Sequence, residues 1–191
     1  MDQAVLQRLI TDVGGVLGPV HGRKGKAYLQ EKIAAFNNAA RFAPWVVIVD
    51  LDDDADCAPL LRDEWLHTPS QGILFGVAVR EIEAWLFGDR ERLARFLRVS
   101  RSKIPLDPES VDAPKRLMVS VAGSSRRREI IDNLVARIFS GRTVGPGYSS
   151  RLSEFVLDRS RGWRPQVAAI SCPSLCRLVK RLRALGRERH R

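Results

Sequence analysis

The sequence predicts an α/β fold, a mainly parallel sheet flanked by helices and followed by a basic, mainly helical C-terminal half. Three observations point there. Trp45-Val46-Val47-Ile48-Val49 is an unbroken apolar run, with Pro44 before it and four aspartates in the next five residues. Such a run reads as a strand buried on both faces, the habit of parallel sheets covered by helices. A second buried run, Ile73 to Val79, closes on Arg80-Glu81-Ile82-Glu83, and the segments around both runs carry helical periodicity.

Taken in order, Val5, Leu6, Leu9, Ile10 and Val13 recur at helical intervals and predict an opening helix over 2–13. Gly14, Gly15, Gly18, Pro19, Gly22 and Gly25 punctuate a loop carrying Arg23, Lys24 and Lys26. It lacks the Gly-x4-Gly-Lys-Ser/Thr pattern of a nucleotide-binding P-loop. A helix over 27–40 follows, with Leu29, Ile33 and Phe36 inward, then the first strand, a helix over 58–66 and the second strand. Beyond Ala84 the pattern is helical through Trp85, Leu86, Leu93, Phe96 and Leu97, and a proline-bearing connection runs from Ser100 to Pro114. Further helices are predicted over 115–121, 128–139, 149–157 and 173–185. The last sets Leu175, Leu178, Val179, Leu182 and Leu185 on one stripe, with Arg177, Lys180, Arg181 and Arg183 outside it. This divides the chain into an α/β core over 1–90 and a basic helical region over 91–191, packed on the core or appended to it.

The charge is segregated. Residues 1–66 carry 7 Lys/Arg against 10 Asp/Glu, while the remainder of the 191 residues carries 25 against 12. A carboxylate-rich half followed by a basic half suits a first part that collects a cation and a second that meets a polyanion such as nucleic acid; a solvated basic surface is the plain alternative. No apolar run approaches the roughly 18 residues that cross a bilayer, and the start lacks a secretory pattern, so no membrane contact and a cytoplasmic location are expected. Three cysteines make no disulfide framework, and Cys172 and Cys176 lack a second ligand pair for zinc.

In an open α/β sheet the ligand site lies outside the carboxyl ends of the strands. Asp50 and Asp52 sit at one such end. Side chains alternate along a strand, so both can face one way and offer hard oxygen ligands to Mg²⁺ or Mn²⁺. Glu81 and Glu83 stand at the second strand end and are further candidate ligands, although two residues apart on a helix they diverge. The competing reading of the aspartates is an acidic turn capping the helix that starts near Ala58. A haloacid-dehalogenase-like phosphatase is disfavoured by Asp54 where that family has Thr or Val, and the Asp-x-Asp of sugar-nucleotide transferases is no more specific. Lys115, after Pro114 at a helix start, can neutralise charge developing on a phosphate, or be a plain surface lysine. Arg126, Arg127 and Arg128 offer donors to phosphates. Gly145-Pro146-Gly147-Tyr148 with Arg151 offers backbone N–H groups, an aromatic face and a cation.

The order of Trp45-Val-Val-Ile-Val-Asp-Leu-Asp, Ala78-Val-Arg-Glu-Ile-Glu-Ala-Trp-Leu, Ala113-Pro-Lys, Ser125-Arg-Arg-Arg, Gly145-Pro-Gly-Tyr and Ser171-Cys-Pro-Ser-Leu resembles a bacterial domain family described as TOPRIM-like. The resemblance spans nearly the whole chain. It implies a TOPRIM-like, Rossmann-like fold related to the catalytic domain of topoisomerases, bacterial primases and the overcoming-lysogenisation-defect nucleases. It further implies Mg²⁺ or Mn²⁺ on Asp50 and Asp52 with Glu81 or Glu83, a metal-dependent nuclease acting on DNA or RNA, and an AAA-type ATPase partner in phage defence. The pattern of such domains includes a glutamate after a first strand, which no residue here matches. A buried strand over Trp45 to Val49 should also have neighbours on both sides, yet only Ile73 to Val79 is an obvious one, so the sheet reads as one strand short. The expectation is an upstream reading frame that supplies, within roughly 10 to 20 residues, an apolar strand of usual length ending in Glu. The alternative is a non-catalytic module binding nucleic acid or an ATPase.

Overall fold

The computed structural model describes residues 1–22 and 25–188. Arg23 and Lys24, two of the three cations expected on the glycine-rich loop, lie outside the described residues. The described chain is a mixed α/β structure of ten helices and two strands. In order these are α1 (Asp2–Asp12), α2 (Lys26–Ala39), β1 (Trp45–Asp50), α3 (Ala58–Trp65), β2 (Ile73–Ala78), α4 (Ile82–Phe87), α5 (Arg90–Leu97), α6 (Pro114–Gly123), α7 (Arg128–Leu134), α8 (Tyr148–Leu157), α9 (Pro165–Ala168) and α10 (Pro173–Glu188).

The two apolar runs form the expected parallel pair, with Trp45 opposite Ile73 and Asp50 opposite Ala78. Alternation sends their side chains into two cores. Val47, Val49, Phe75 and Val77 pack with Ile33 and Phe36 of α2 and Leu61 and Trp65 of α3. Leu74 and Ala78, with Val46 and Ile48 beside them, join a larger core built from α1, α4 to α8 and α10. Gly76 of β2 lets α10 settle on the sheet, because a Cβ there would stand 2.8 Å from Leu178 Cδ1. The larger core mixes Val5 and Trp85 with Leu152, Leu175 and Leu182, so residues from both predicted regions share it and the basic helical part packs on the α/β part.

The predicted sheet is small. Trp45 N–H donates to Gly72 O and Leu51 N–H to Ala78 O, which turns the odd-numbered backbone groups of β1 toward β2. On its other edge β1 has no strand neighbour among the described residues. A cavity of about 850 Å³ opens there, lined by Leu6, Ile10, Val16, Leu29, Phe36 and Ile48 among others.

Helix boundaries hold except where glycine or a carboxylate intervenes. The helical pattern beyond Ala84 is two helices, broken at Gly88-Asp89, where the Asp89 carboxylate accepts from Arg92 N–H and starts α5. The helix predicted over 128–139 stops at Leu134. Its continuation would need the carbonyls of Asn133 and Leu134, and these accept instead from the N–H groups of Gly147 and Gly145.

All six residues of α4 are buried. Its polar groups are therefore satisfied from other elements: Trp85 Nε1 donates to Ser174 Oγ at 2.8 Å, and Trp163 Nε1 donates to Trp85 O at 3.0 Å. Just past its end the Asp89 carboxylate, fully buried, receives Arg164 through Nε at 2.9 Å and Nη2 at 2.7 Å. Losing the buried partner leaves Arg164, 30% exposed, with Glu91 alone at 2.9 Å. We expect Asp89→Asn to lose about 2 kcal/mol of stability, less than a sealed pair because Arg164 keeps that partner and some water, read as a lower urea midpoint. Arg95→Ala, which breaks only the exposed pair with Glu91, should change stability by less than about 0.5 kcal/mol.

Candidate functional site

The carboxyl ends of β1 and β2 bring together Asp50, Glu81, Glu83, Lys115 and Tyr148, five of the residues marked in the sequence. Asp50 is the last residue of β1. Its Oδ1 accepts from the N–H of Ile82, the first residue of α4, at 2.8 Å. It thus caps a helix as the plain reading held, but the helix is the buried α4 rather than α3. Glu81 precedes α4 in extended conformation and Glu83 lies in its first turn. The extended backbone at Glu81 undoes the divergence expected of two residues spaced along a helix. Both carboxylates reach Lys115, at 3.5 Å from Glu81 Oε1 and 3.8 Å from Glu83 Oε1. Glu81 Oε2 also accepts from Lys115 N–H at 2.7 Å. Lys115 does follow a first-turn proline at a helix start, as predicted, but the anion bound at that start is Glu81 itself.

Asp52 does not continue the strand. Its φ of 49° is left-handed, so the alternation that would align it with Asp50 stops at the strand end. Its carboxylate pairs at 3.1 Å with Lys26, which also bonds the Asp54 carboxylate and the Asp50 carbonyl. The sequence puts Lys26 on the glycine-rich loop, whereas the structure makes it the first residue of α2. The acidic run after β1 was the available signal.

Tyr148 corrects an expectation. Its ring is 3% exposed and offers no face to a base. The hydroxyl donates to Glu83 Oε1 at 3.0 Å. The motif before it is a packing device, because a Cβ on Gly145 would lie 2.3 Å from Asn133 O and one on Gly147 2.2 Å from Asn133 Oδ1. Its two glycine N–H groups are spent on α7 rather than left for an anion. Arg151 is likewise engaged, bonding Glu129 at 2.7 Å and Glu154 at 2.6 Å, so the cation expected for a phosphate is neutralised by its own helix and by α7. Arg126, Arg127 and Arg128 are all exposed around the start of α7, and among the described residues only Arg128 of the three holds an ion pair, with Asp132.

Burial governs the acids. It pushes the Asp50 carboxyl up to about 7, with the charge of Glu83 adding to it and the Ile82 N–H opposing it. Burial also raises Glu83, against the pull of Lys115. For Lys115 burial favours the neutral amine, but the charges of Glu83, Glu81 and Asp50 outweigh it and hold the ammonium above its usual range. A cavity of about 260 Å³ opens beside the cluster, lined by Asp52, Arg80, Glu81, Lys115, Arg116 and Thr143 among others. Arg80 there is paired with Asp53 and Asp112.

The fit of a divalent ion follows from these partners. Asp52 is held by Lys26, Glu81 and Glu83 by Lys115, and Asp50 by Ile82, and among the described residues no three acidic, His or Cys side chains are grouped to share an ion. Of the expected ligand set, Asp52, Glu81 and Glu83 are therefore drawn to two ammonium groups and Asp50 to a helix start, rather than arranged round a metal. No helix among the described residues is long and apolar enough to cross a membrane. Comparison with protein-family models, curated proteins and solved structures finds no match to this chain.

The Asp50 carboxyl gives this site a pH signature. Its folded value, about 7, lies above its ordinary 3.8, so the folded state holds a proton that the unfolded state has lost between those values. The stability it contributes is complete below about pH 4 and is lost as pH rises through 7. At about 1.4 kcal/mol for each pKa unit, the loss is on the order of 4 kcal/mol. We expect thermal melts to fall over that window and Asp50→Asn to flatten the fall. An equal slope in the variant would remove Asp50 from that role.

Proposed function

We propose that this chain is a TOPRIM-like module that binds the phosphodiester backbone of nucleic acid, with its acidic cluster neutralised from within. The observation that carries it is the division of charge. The carboxylates at the strand ends are matched by Lys26 and Lys115, while Arg116, Arg126, Arg127, Arg137 and Arg142 are exposed and hold no ion pair among the described residues. Free guanidinium groups on the surface, with Arg116 lining the cavity at the carboxyl ends of the parallel strands, suit a backbone ligand. Release of condensed counterions is the driving term for such binding. The TOPRIM-like assignment rests on the motif order and on the parallel pair with its acidic strand ends. The AAA-type ATPase partner rests on the resemblance alone.

A second reading, the metal-dependent nuclease, is favoured by one observation: Asp50 and Glu83 are both buried acids with raised pKa values, and the charge of Glu83 adds to the shift of Asp50. A divalent ion displacing the lysines would relieve them and would supply the Lewis acid for phosphodiester hydrolysis. In that reading Asp50, Asp52, Glu81 and Glu83 hold Mg²⁺ or Mn²⁺, and Lys115 and the arginines position the backbone.

The two readings part in one experiment, a titration of Mg²⁺ and Mn²⁺ against labelled single-stranded and duplex DNA and RNA. The binding module gives retention without cleavage at every metal concentration. Metal-dependent cleavage that Asp50→Asn with Asp52→Asn abolishes would establish the nuclease instead.

On either reading, affinity should fall steeply with salt and survive that double change. Arg126→Ala, Arg127→Ala and Arg128→Ala together should leave the melt unchanged and lower the slope of log affinity against log salt by about one for each phosphate that an arginine no longer neutralises. An unchanged slope in the folded triple variant would move the binding face to the outer stripe of α10.

A further inference from the structure

The connection between α7 and α8 carries a feature that the fold does not use. Its two ends are pinned: Val135 and Val144 pack against the larger core, and Gly145 N–H donates to Leu134 O at 2.9 Å. Between them the chain projects and turns back on itself, with Ser140 N–H donating to Arg137 O at 3.1 Å and Arg142 N–H to Ser140 Oγ at 3.3 Å. That places Ile138 and Phe139 at the two central positions of a hydrogen-bonded turn. Ile138 is 84% exposed and Phe139 fully so.

Phe139 also has φ of 69°. The second central position of a turn with positive φ favours Gly or Asn, because a Cβ crowds the backbone there. A large aromatic at this point is unfavourable locally and is repaid by no burial among the described residues. Its use therefore lies outside it. The chemistry of the loop names the kind of partner. From Asn133 to Tyr148 the chain has no acidic residue, and Arg137 and Arg142 flank the tip, exposed and without ion pairs among the described residues. Thr143 of the same loop lines the polar cavity beside Lys115 and Arg116. Thr143 follows Phe139 by four residues, a reach of at most about 14 Å.

We propose that this turn is a stacking finger for single-stranded nucleic acid: Phe139, with Ile138 beside it, stacks on an unpaired base while Arg137 and Arg142 hold the neighbouring phosphates. An aromatic face accepts any base, so the contact adds affinity without sequence preference. A duplex must first be unstacked to offer the same face, which disfavours it. The inference rests on the nucleic-acid reading of the preceding section and adds the strandedness of the ligand.

The test uses the full chain and Phe139→Ala, with a labelled oligonucleotide as single strand and as blunt duplex, and with 2-aminopurine at successive positions to report stacking. Phe139→Ala should melt as the parent does, since the ring is fully exposed. It should lose about tenfold in single-strand affinity, change little on the duplex, and keep the same salt slope, because every phosphate keeps its cation. Phe139→Trp should restore the affinity. Parent protein that binds single strands while Phe139→Ala binds them equally well, or weakens by the same factor on both ligands, overturns the finger alone. Failure of the parent to bind either ligand overturns the nucleic-acid reading and the finger with it. Vesicles of phosphatidylserine form the last arm. Retention of the parent on them and its loss in Phe139→Ala, with no change on single strands, would assign the tip to an anionic membrane surface and overturn the proposal.

Discussion

Four helices in this structure begin on a carboxylate, and the rest of the fold is arranged round that constraint. The first N–H groups of a helix have no partner within it, and the helix dipole favours negative charge there. Asp50 receives Ile82 at the start of α4, Asp89 receives Arg92 in α5, Glu81 receives Lys115 in α6, and Glu109 receives Ser174 in α10. Three of these acids come from a different element than the helix they serve. Each such bond is therefore a tertiary tie as well as a cap, and α4, wholly buried, is the hub that most of them reach. The Ser174 hydroxyl shows the linkage: it donates to Glu109 and accepts from Trp85 of α4.

This explains what the spaced motifs have in common. Asp50, Glu81 and Glu83, Lys115, Tyr148 and Ser174 are far apart in sequence, yet each satisfies a polar group on or beside α4. A buried helix without such partners would strand its donors and acceptors in apolar surroundings, where an unmade hydrogen bond costs about 1 to 3 kcal/mol. The arrangement also sets the protonation of the site, since burial raises Asp50 and Glu83 while the same acids hold Lys115 charged.

Much of the fold was legible because burial leaves periodic traces. The Trp45 and Ile73 runs gave the parallel pair, and the leucine stripe of α10 gave its inward face, with Leu175, Leu178, Val179 and Leu182 buried and Arg177 and Lys180 outside. Convergence at the strand ends was legible too, since position alone put Asp50 near Glu81. The partners were not. Nothing in the spacing says that Lys26 returns to Asp52, that Tyr148 turns inward to Glu83, or that Arg151 is taken by Glu129 and Glu154, because these are choices among long-range contacts. The apolar residues Val135, Ile138 and Phe139 read as helix for the same reason: the glycine hydrogen bonds that stop α7 arise 11 to 14 residues further on.

The bond from Gly145 to Leu134 has a bearing on how this chain can change. It fastens the two feet of the α7–α8 connection together, so the intervening residues are tethered at a fixed gap whatever their number. For a segment closed in this way, each doubling of length adds only about 0.6 kcal/mol of entropy. The tip can be shortened, extended or re-lettered with almost no penalty to the helices beneath it. Its reach and chemistry are in that sense separable from the folding of the body, a cassette on a rigid mount.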